Sequence, residues 1–302
     1  MDIREAKRIF LVAKASENVT GRTLGTYKDV FKKFLGYLYE QNLYDISVIN
    51  TSHIREFLVS LKDGRKGVTV HKYFRVLRTF FLFMLQEDYI ESNPMKTVKA
   101  PKKEKKVMRT FTAAEISRLL NAFDRTTYFG MRNYCVMAMF FSTGMRKGEL
   151  RNLTLADVNV TTDLIRIDGK GQKERLAPIS RTLRRALRQY MKMRSEFLGD
   201  ESCEWLFVTP RASRKMTDSC LNMLFGKLKR ELGLNGERVS SHTWRHTFAK
   251  TYLLNGGDIF SLQEILGHSD IETTKIYLSL NEQEIKVQHA KYNPLDNKDW
   301  LH

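Results

Sequence analysis

The sequence predicts a mainly α protein of the α+β class. A helical N-terminal domain is followed by an α-rich second domain that carries a small antiparallel sheet. Three observations predict it. Apolar residues recur at helical spacing through most of the first ninety positions. A strongly basic stretch with two prolines then interrupts that spacing. Beyond it, further amphipathic helices bracket one pair of alternating segments, LIRID and ERLAPI, on either side of a GKGQK turn.

Taken in order, residues 4–14 open the chain as a helix. Tyr27, Val30, Phe31, Phe34, Leu35, Leu38 and Tyr39 mark one face of a second helix. Thr51 and Ser52 are suited to cap a short third, with Ile54, Phe57, Leu58 and Leu61 inward. Val70, Tyr73, Phe74, Leu77, Phe81 and Met84 share a face of a fourth. Residues 1–92 therefore read as one four-helix unit. Its aromatics invite comparison with a base-stacking platform, but helical spacing of this kind points to core packing. Residues 93–109 (NPMKTVKAPKKEKKVMR) hold Pro94, Pro101 and seven basic residues against Glu104. Proline ends helices and like charges keep a segment extended, so this reads as an interdomain linker suited to lie along a phosphate backbone.

The second domain, 110–302, starts on a capping box, Thr112 with Glu115, stapled by Phe111 and Ile116. A mostly apolar helix is expected over 127–142, strands over 164–168 and 174–179, and helices over 181–197 and 218–232. Three short helical pieces are expected over 242–280.

Composition narrows the function. Of 302 residues 42% are apolar, which excludes a wholly disordered chain. The longest apolar run, Val136 to Phe141, is far too short to span a membrane. The N-terminus has no apolar signal region, and three scattered cysteines make neither a disulfide framework nor a zinc ribbon. A reduced, cytoplasmic protein is expected. The net charge is +17, with +9 up to Met108 and +8 beyond it. Both domains share the excess, as expected if both touch a polyanion such as DNA.

Several polar residues of the second domain stand out. Arg146 follows Ser-Thr-Gly-Met at the end of the apolar helix, with Glu149 three residues on. Lys170 lies in the hairpin turn, which lacks the GxxxxGK[ST] of a phosphate-binding loop. His242 and Arg245 are one helical turn apart and share a face. His268 sits in LGHSD, and Tyr277 in TTKIYLSL. Each alone is unremarkable. Together, STGMRKGEL at 142–150, GKGQKERLAPIS at 169–180, SHTWRHTFAK at 241–250 and LGHSDIETTKIYL at 266–278 resemble the tyrosine recombinase (phage integrase) family, and the similarity spans the second domain.

The resemblance implies a core-binding domain ahead of a catalytic domain, closing as a C-shaped clamp on duplex DNA. It implies Tyr277 as nucleophile, Arg146 and Arg245 as the phosphate clamp, and Lys170 as general acid. His242 and His268 complete the implied site. Trp244 stands where the family has leucine, an apolar exchange, and Glu149 matches an acidic position that holds the first arginine. No cofactor and no metal are implied.

These roles make chemical sense. Two guanidinium forks suit a pentavalent phosphorane with charged nonbridging oxygens. A tyrosine with an ordinary pKa of about 10 needs a positive field or a base to ionise. His242 is the better acceptor for that proton, and His268 the better donor to a nonbridging oxygen. The departing 5′-oxygen needs a proton, which a lysine on a turn can deliver.

Rival readings are weaker. His242 and His246 have a metal-ligand spacing, but Arg245 between them repels a dication and no acid or thiol accompanies them. A DNA-binding protein without activity leaves Tyr277 and Lys170 unexplained, and a type IB topoisomerase shares the chemistry. The family implies a homotetramer on two duplex recombination sites. Tyr292-Asn-Pro-Leu-Asp296 departs from the short tail usual in Xer recombinases, which tilts the expectation from a dimer resolvase to a mobile-element integrase. Ile285, Val287, Tyr292, Leu295 and Trp300 are available for burial, either in a tail docked on a neighbouring protomer, as in this family, or in one folded back on its own domain.

Overall fold

The computed structural model describes residues 1–61, 67–101, 109–169, 174–209, 214–234, 239–278 and 282–292. Contacts divide the chain into two compact units, Met1–Lys106 and Val107–His302. Each encloses its own apolar core.

The first unit holds helices α1 (Ile3–Ser16), α2 (Gly21–Glu40), α3 (Thr51–Ser60) and α4 (Gly67–Gln86). Phe10, Phe31 and Phe80 meet edge to face with ring centroids 4.9 to 5.8 Å apart, the arrangement favoured by aromatic quadrupoles. The aromatics that face inward here are core. Helix α3 starts differently from expectation, because Asn50 caps it. The Asn50 side chain accepts the Ser52 and His53 amides at 2.9 and 3.2 Å, while His53 Nδ1 accepts the Asn50 amide at 3.3 Å. One side-chain carbonyl thus satisfies two of the free amides of the first turn. Thr51, freed from capping, donates its hydroxyl to the Pro94 carbonyl at 2.9 Å.

That bond marks a second departure. The basic stretch is not solvated throughout, since Met95 is buried and Val98 packs on the first core. Asn93 shapes the turn by accepting the Met95 amide at 2.8 Å. Two apolar side chains three residues apart, inside a charged run, are enough to hold 93–98 down. Residues 102–108 lie outside the described residues.

The second unit runs α5 (Ala113–Asn121), α6 (Tyr128–Thr143), α7 (Lys147–Asn152), β1 (Val158–Asn159), β2 (Leu164–Asp168), β3 (Glu174–Pro178), α8 (Arg181–Leu198) and α9 (Asp218–Glu231). It ends with α10 (Ser241–Leu254), α11 (Ile259–Leu266), α12 (Glu272–Lys275), a 3₁₀ turn at Ile276–Leu278, and α13 (Glu282–Tyr292). Thr112 and Glu115 make the reciprocal cap of α5. The sheet is antiparallel in the order β1-β2-β3, with Ile165 opposite Val158 and Ala177, and Ile167 opposite Arg175. Ile165 and Ile167 point into the core. Helix α6 is buried on almost every side and packs against α8 and α10. Trp244 on α10 is fully buried against Phe111 and Phe141. Thr247 beside it accepts the Phe111 amide at 2.9 Å and donates to the Thr243 carbonyl at 2.8 Å. The entry to the second unit is thereby tied to α10. Among the described residues, no helix is long and apolar enough to cross a membrane.

Candidate active site

A chain reversal places the first arginine of the polar cluster. Helix α6 ends at Gly144, whose φ of +59° belongs to the left-handed region. A Cβ there would lie 2.5 Å from Phe248 and 2.7 Å from Leu266, so only glycine fits both the angle and the space. The reversal makes Arg146 the residue that begins α7. Its amide donates to Glu149 Oε2 at 2.7 Å and its Nη1 to Glu149 Oε1 at 2.8 Å. The Arg146 side chain stays 42% exposed, free to meet a ligand.

Glu149 itself is buried. Burial pushes its carboxyl up, but the Arg175 fork and then Arg146 outweigh that and hold it down at about 2. Arg175 reaches it from β3, with Nη2 and Nη1 at 2.7 and 3.1 Å from the two carboxylate oxygens.

Arg245 projects from α10 and is only 4% exposed. Its Nη1 donates to the Gly144 carbonyl at 2.7 Å, and Nη2 donates to the Leu266 carbonyl at 2.9 Å and to His268 Nε2 at 2.7 Å. Burial and the neighbouring Arg146 lower it to about 10, so it keeps its charge at neutral pH. Because a guanidinium has no acceptor, His268 Nε2 must carry no proton. The remaining proton is then on Nδ1, which donates to Thr274 Oγ1 at 2.8 Å. Burial, with the charge of Arg245, lowers the His268 pKa to about 4. The expected donor to a phosphate oxygen is thus a neutral ring with both nitrogens engaged by protein.

Tyr277 lies in the 3₁₀ turn, 5% exposed, between two imidazoles. The His268 ring is nearly parallel to it at 6.3 Å, and the His246 ring is tilted at 5.5 Å. Burial raises the Tyr277 hydroxyl above 10, while the charge and hydrogen bond of Arg245, and the charge of Arg146, pull it back. Arg146, Arg245, His268 and Tyr277 are therefore one cluster. His242, one turn before Arg245 on α10, is exposed where Arg245 is buried. Lys170 lies outside the described residues.

Two members of the cluster escape sequence reading, Arg175 and Thr274. The first had a signal, since strand alternation turns Arg175 to the same face as buried Ala177. Thr274 is fully buried within a four-residue helix, and only its partner explains it. Among the described residues no group of His, Cys, Asp and Glu is arranged to hold a metal ion. The first unit has a groove between α2 and α4 of about 370 Å³, whose lining includes Tyr27 and Val76 beside the polar Thr23, His71, Lys72 and Arg75.

Comparison with known proteins agrees with this geometry. Residues 109–284 match the phage integrase family, and residues 11–106 match the phage integrase SAM-like domain. The chain belongs to the phage integrase family. This integrase relative is 31% identical over 280 residues to the tyrosine recombinase XerD of Staphylococcus haemolyticus, covering 92% of this chain and 94% of that one. Its identity to XerD of Staphylococcus aureus is 29% over 297 residues, covering 97% and 98%. Its fold resembles XerH recombinase bound to palindromic difH substrate, a post-cleavage complex, with TM-score 0.77 at 21% identity over 94% of this chain and 84% of that one. It also resembles the Tn1549 transposon integrase in complex with a circular intermediate DNA, with TM-score 0.74 at 20% identity over 96% and 99%. As a tyrosine recombinase, the integrase is a DNA strand transferase acting in site-specific recombination.

Proposed function

We propose that this integrase cleaves and rejoins duplex DNA at specific sites through a 3′-phosphotyrosyl intermediate on Tyr277, in the service of a mobile element. The observation that carries the reading is a buried tyrosine set between the rings of His246 and His268, the latter held by Arg245, in the field of Arg245 and Arg146. Tyr277 oxygen attacks phosphorus as its proton passes to His242. Arg146 and Arg245 hold the nonbridging oxygens, and the bond to the 5′-oxygen breaks as Lys170 protonates it. His268 serves by fixing Arg245, not by donating to phosphate. The charge is supplied by side chains and the ester conserves the bond, so the cycle needs neither metal nor ATP. Religation is the same path reversed by a free 5′-hydroxyl.

The excess of cations in both units, and the Thr, His, Lys and Arg lining of the α2–α4 groove, support a duplex partner. Exchange between two duplexes requires several protomers, and a homotetramer is the proposed assembly. The similarity to XerD favours one second reading, a resolvase of chromosome or plasmid dimers.

The test is covalent trapping on fragments of the host genome, followed by denaturation and sequencing of the captured DNA. The unsubstituted chain is expected to capture discrete sites at the ends of a mobile element. Tyr277→Phe should bind DNA and capture none. Capture by Tyr277→Phe at the unsubstituted level contradicts the proposal, and capture at a single chromosomal locus favours the resolvase reading.

A further inference from the structure

Arg175 has no part in the reaction just described, yet its guanidinium spans the whole cluster. Nη1 and Nη2 grip the Glu149 carboxylate, and Nε donates to the Ile265 carbonyl at 2.8 Å. Its side chain is 8% exposed. Each end of that span leads to one of the clamp arginines. Glu149 holds both the amide and the guanidinium of Arg146. The Ile265 carbonyl adjoins that of Leu266, which takes Arg245 Nη2. Both carbonyls belong to the last turn of α11, where unpaired carbonyls attract cations. The stem of Arg175 also presses on Gly267, the left-handed residue ending α11, since a Cβ there would lie 2.8 Å from Arg175 Cδ.

We propose that Arg175 is a positioning residue that fixes Arg146 and Arg245 relative to one another, by bridging Glu149 to the C-terminal end of α11. The inference rests on the strand-transfer reading above. A lysine is no substitute, because a single ammonium cannot hold two carboxylate oxygens and a carbonyl in one plane. The buried pair could instead serve stability alone, and the two roles differ in what they do to phosphate activation.

The test uses single-turnover cleavage of a nicked duplex carrying a site recovered by trapping, at saturating protein. Arg175→Gln, Arg175→Lys and the double variant Glu149→Gln/Arg175→Gln are compared with the unsubstituted chain. The double variant leaves no uncompensated buried carboxylate, which protects the fold. Arg175→Gln is expected to bind DNA normally and to cleave about 100-fold more slowly, the scale of a displacement near 1 Å at a reacting centre. Arg175→Lys should not rescue it. The double variant should be slowed at least as much as Arg175→Gln, because it breaks the same span and also loosens the direct hold of Glu149 on Arg146. On a duplex whose scissile phosphate carries methyl in place of one nonbridging oxygen, there is less charge to clamp, and the deficit should shrink. Cleavage by Arg175→Gln at the unsubstituted rate, or an equal deficit on both substrates, overturns the proposal. Failure of the unsubstituted chain to cleave tells against the strand-transfer reading itself.

Discussion

His268 accepts from Arg245 through Nε2, and protonation there would set two cations against each other. Its pKa falls from an ordinary 6.5 to about 4, through burial first and Arg245 second. The native state therefore binds fewer protons than the unfolded chain between those values. Stability from this site is fully present above about pH 6.5 and is lost as pH falls towards 4. His268→Asn keeps an acceptor without a titrating group. Its stability to urea should decline less between pH 6.5 and 4.5 than that of the unsubstituted chain. Equal declines would contradict the neutral-acceptor assignment. Sequence alone brought His268 into the site by resemblance and gave it a proton-donating role, because only contacts reveal that both ring nitrogens are occupied. Arg175 was overlooked for a related reason. Strand alternation places it on the face of Ala177, but in a chain with 51 cations only its partners, Glu149 and the Ile265 carbonyl, single it out.

Among the elements, those with a strong period were legible. Helix α8 was expected over 181–197 and runs Arg181–Leu198, and β2 was expected over 164–168 and runs Leu164–Asp168. Shorter features were not. Strand β1 has two residues, too few for any alternation, and the cap of α3 moved one residue because Asn50 outcompetes Thr51.

Helix α13 leaves apolar side chains uncovered by its own chain. Its described contacts include Lys250 to Glu284 at 2.7 Å, Gln288 Nε2 to the Leu254 carbonyl at 2.7 Å and Lys291 Nζ to the Asn255 carbonyl at 3.4 Å. Ile285 and Val287, read from the sequence as available for burial, are each 54% exposed. Leu295 and Trp300 lie outside the described residues. A partly exposed ion pair contributes about 0–1 kcal/mol. Truncation after Leu280 should therefore cost little thermal stability, while removing the exposed Ile285 and Val287. Single-site binding should persist, and cooperative assembly on paired sites, read by gel shift, should be lost. Unchanged cooperativity with a marked fall in melting temperature would mean that α13 serves its own unit alone.

Across the whole molecule, charge is the property that sequence conveyed best. It is additive and needs no fold, and the +17 excess is spread over both units. If both meet DNA, six or more phosphate contacts should give a log–log slope of affinity on salt of about −5 or steeper. A slope near −1 would confine contact to a small part of the surface. Which bases are read depends on side-chain placement against DNA, a matter that net charge cannot encode.

In the proposed reaction Tyr277 becomes the phosphotyrosine. The most direct measurement is mass spectrometry of the covalent protein–DNA adduct after nuclease and protease digestion. The nucleotide remnant is expected, joined through its 3′-phosphate, on the peptide containing Tyr277. A remnant on Tyr252, on Tyr292 or on any residue other than Tyr277 would contradict it.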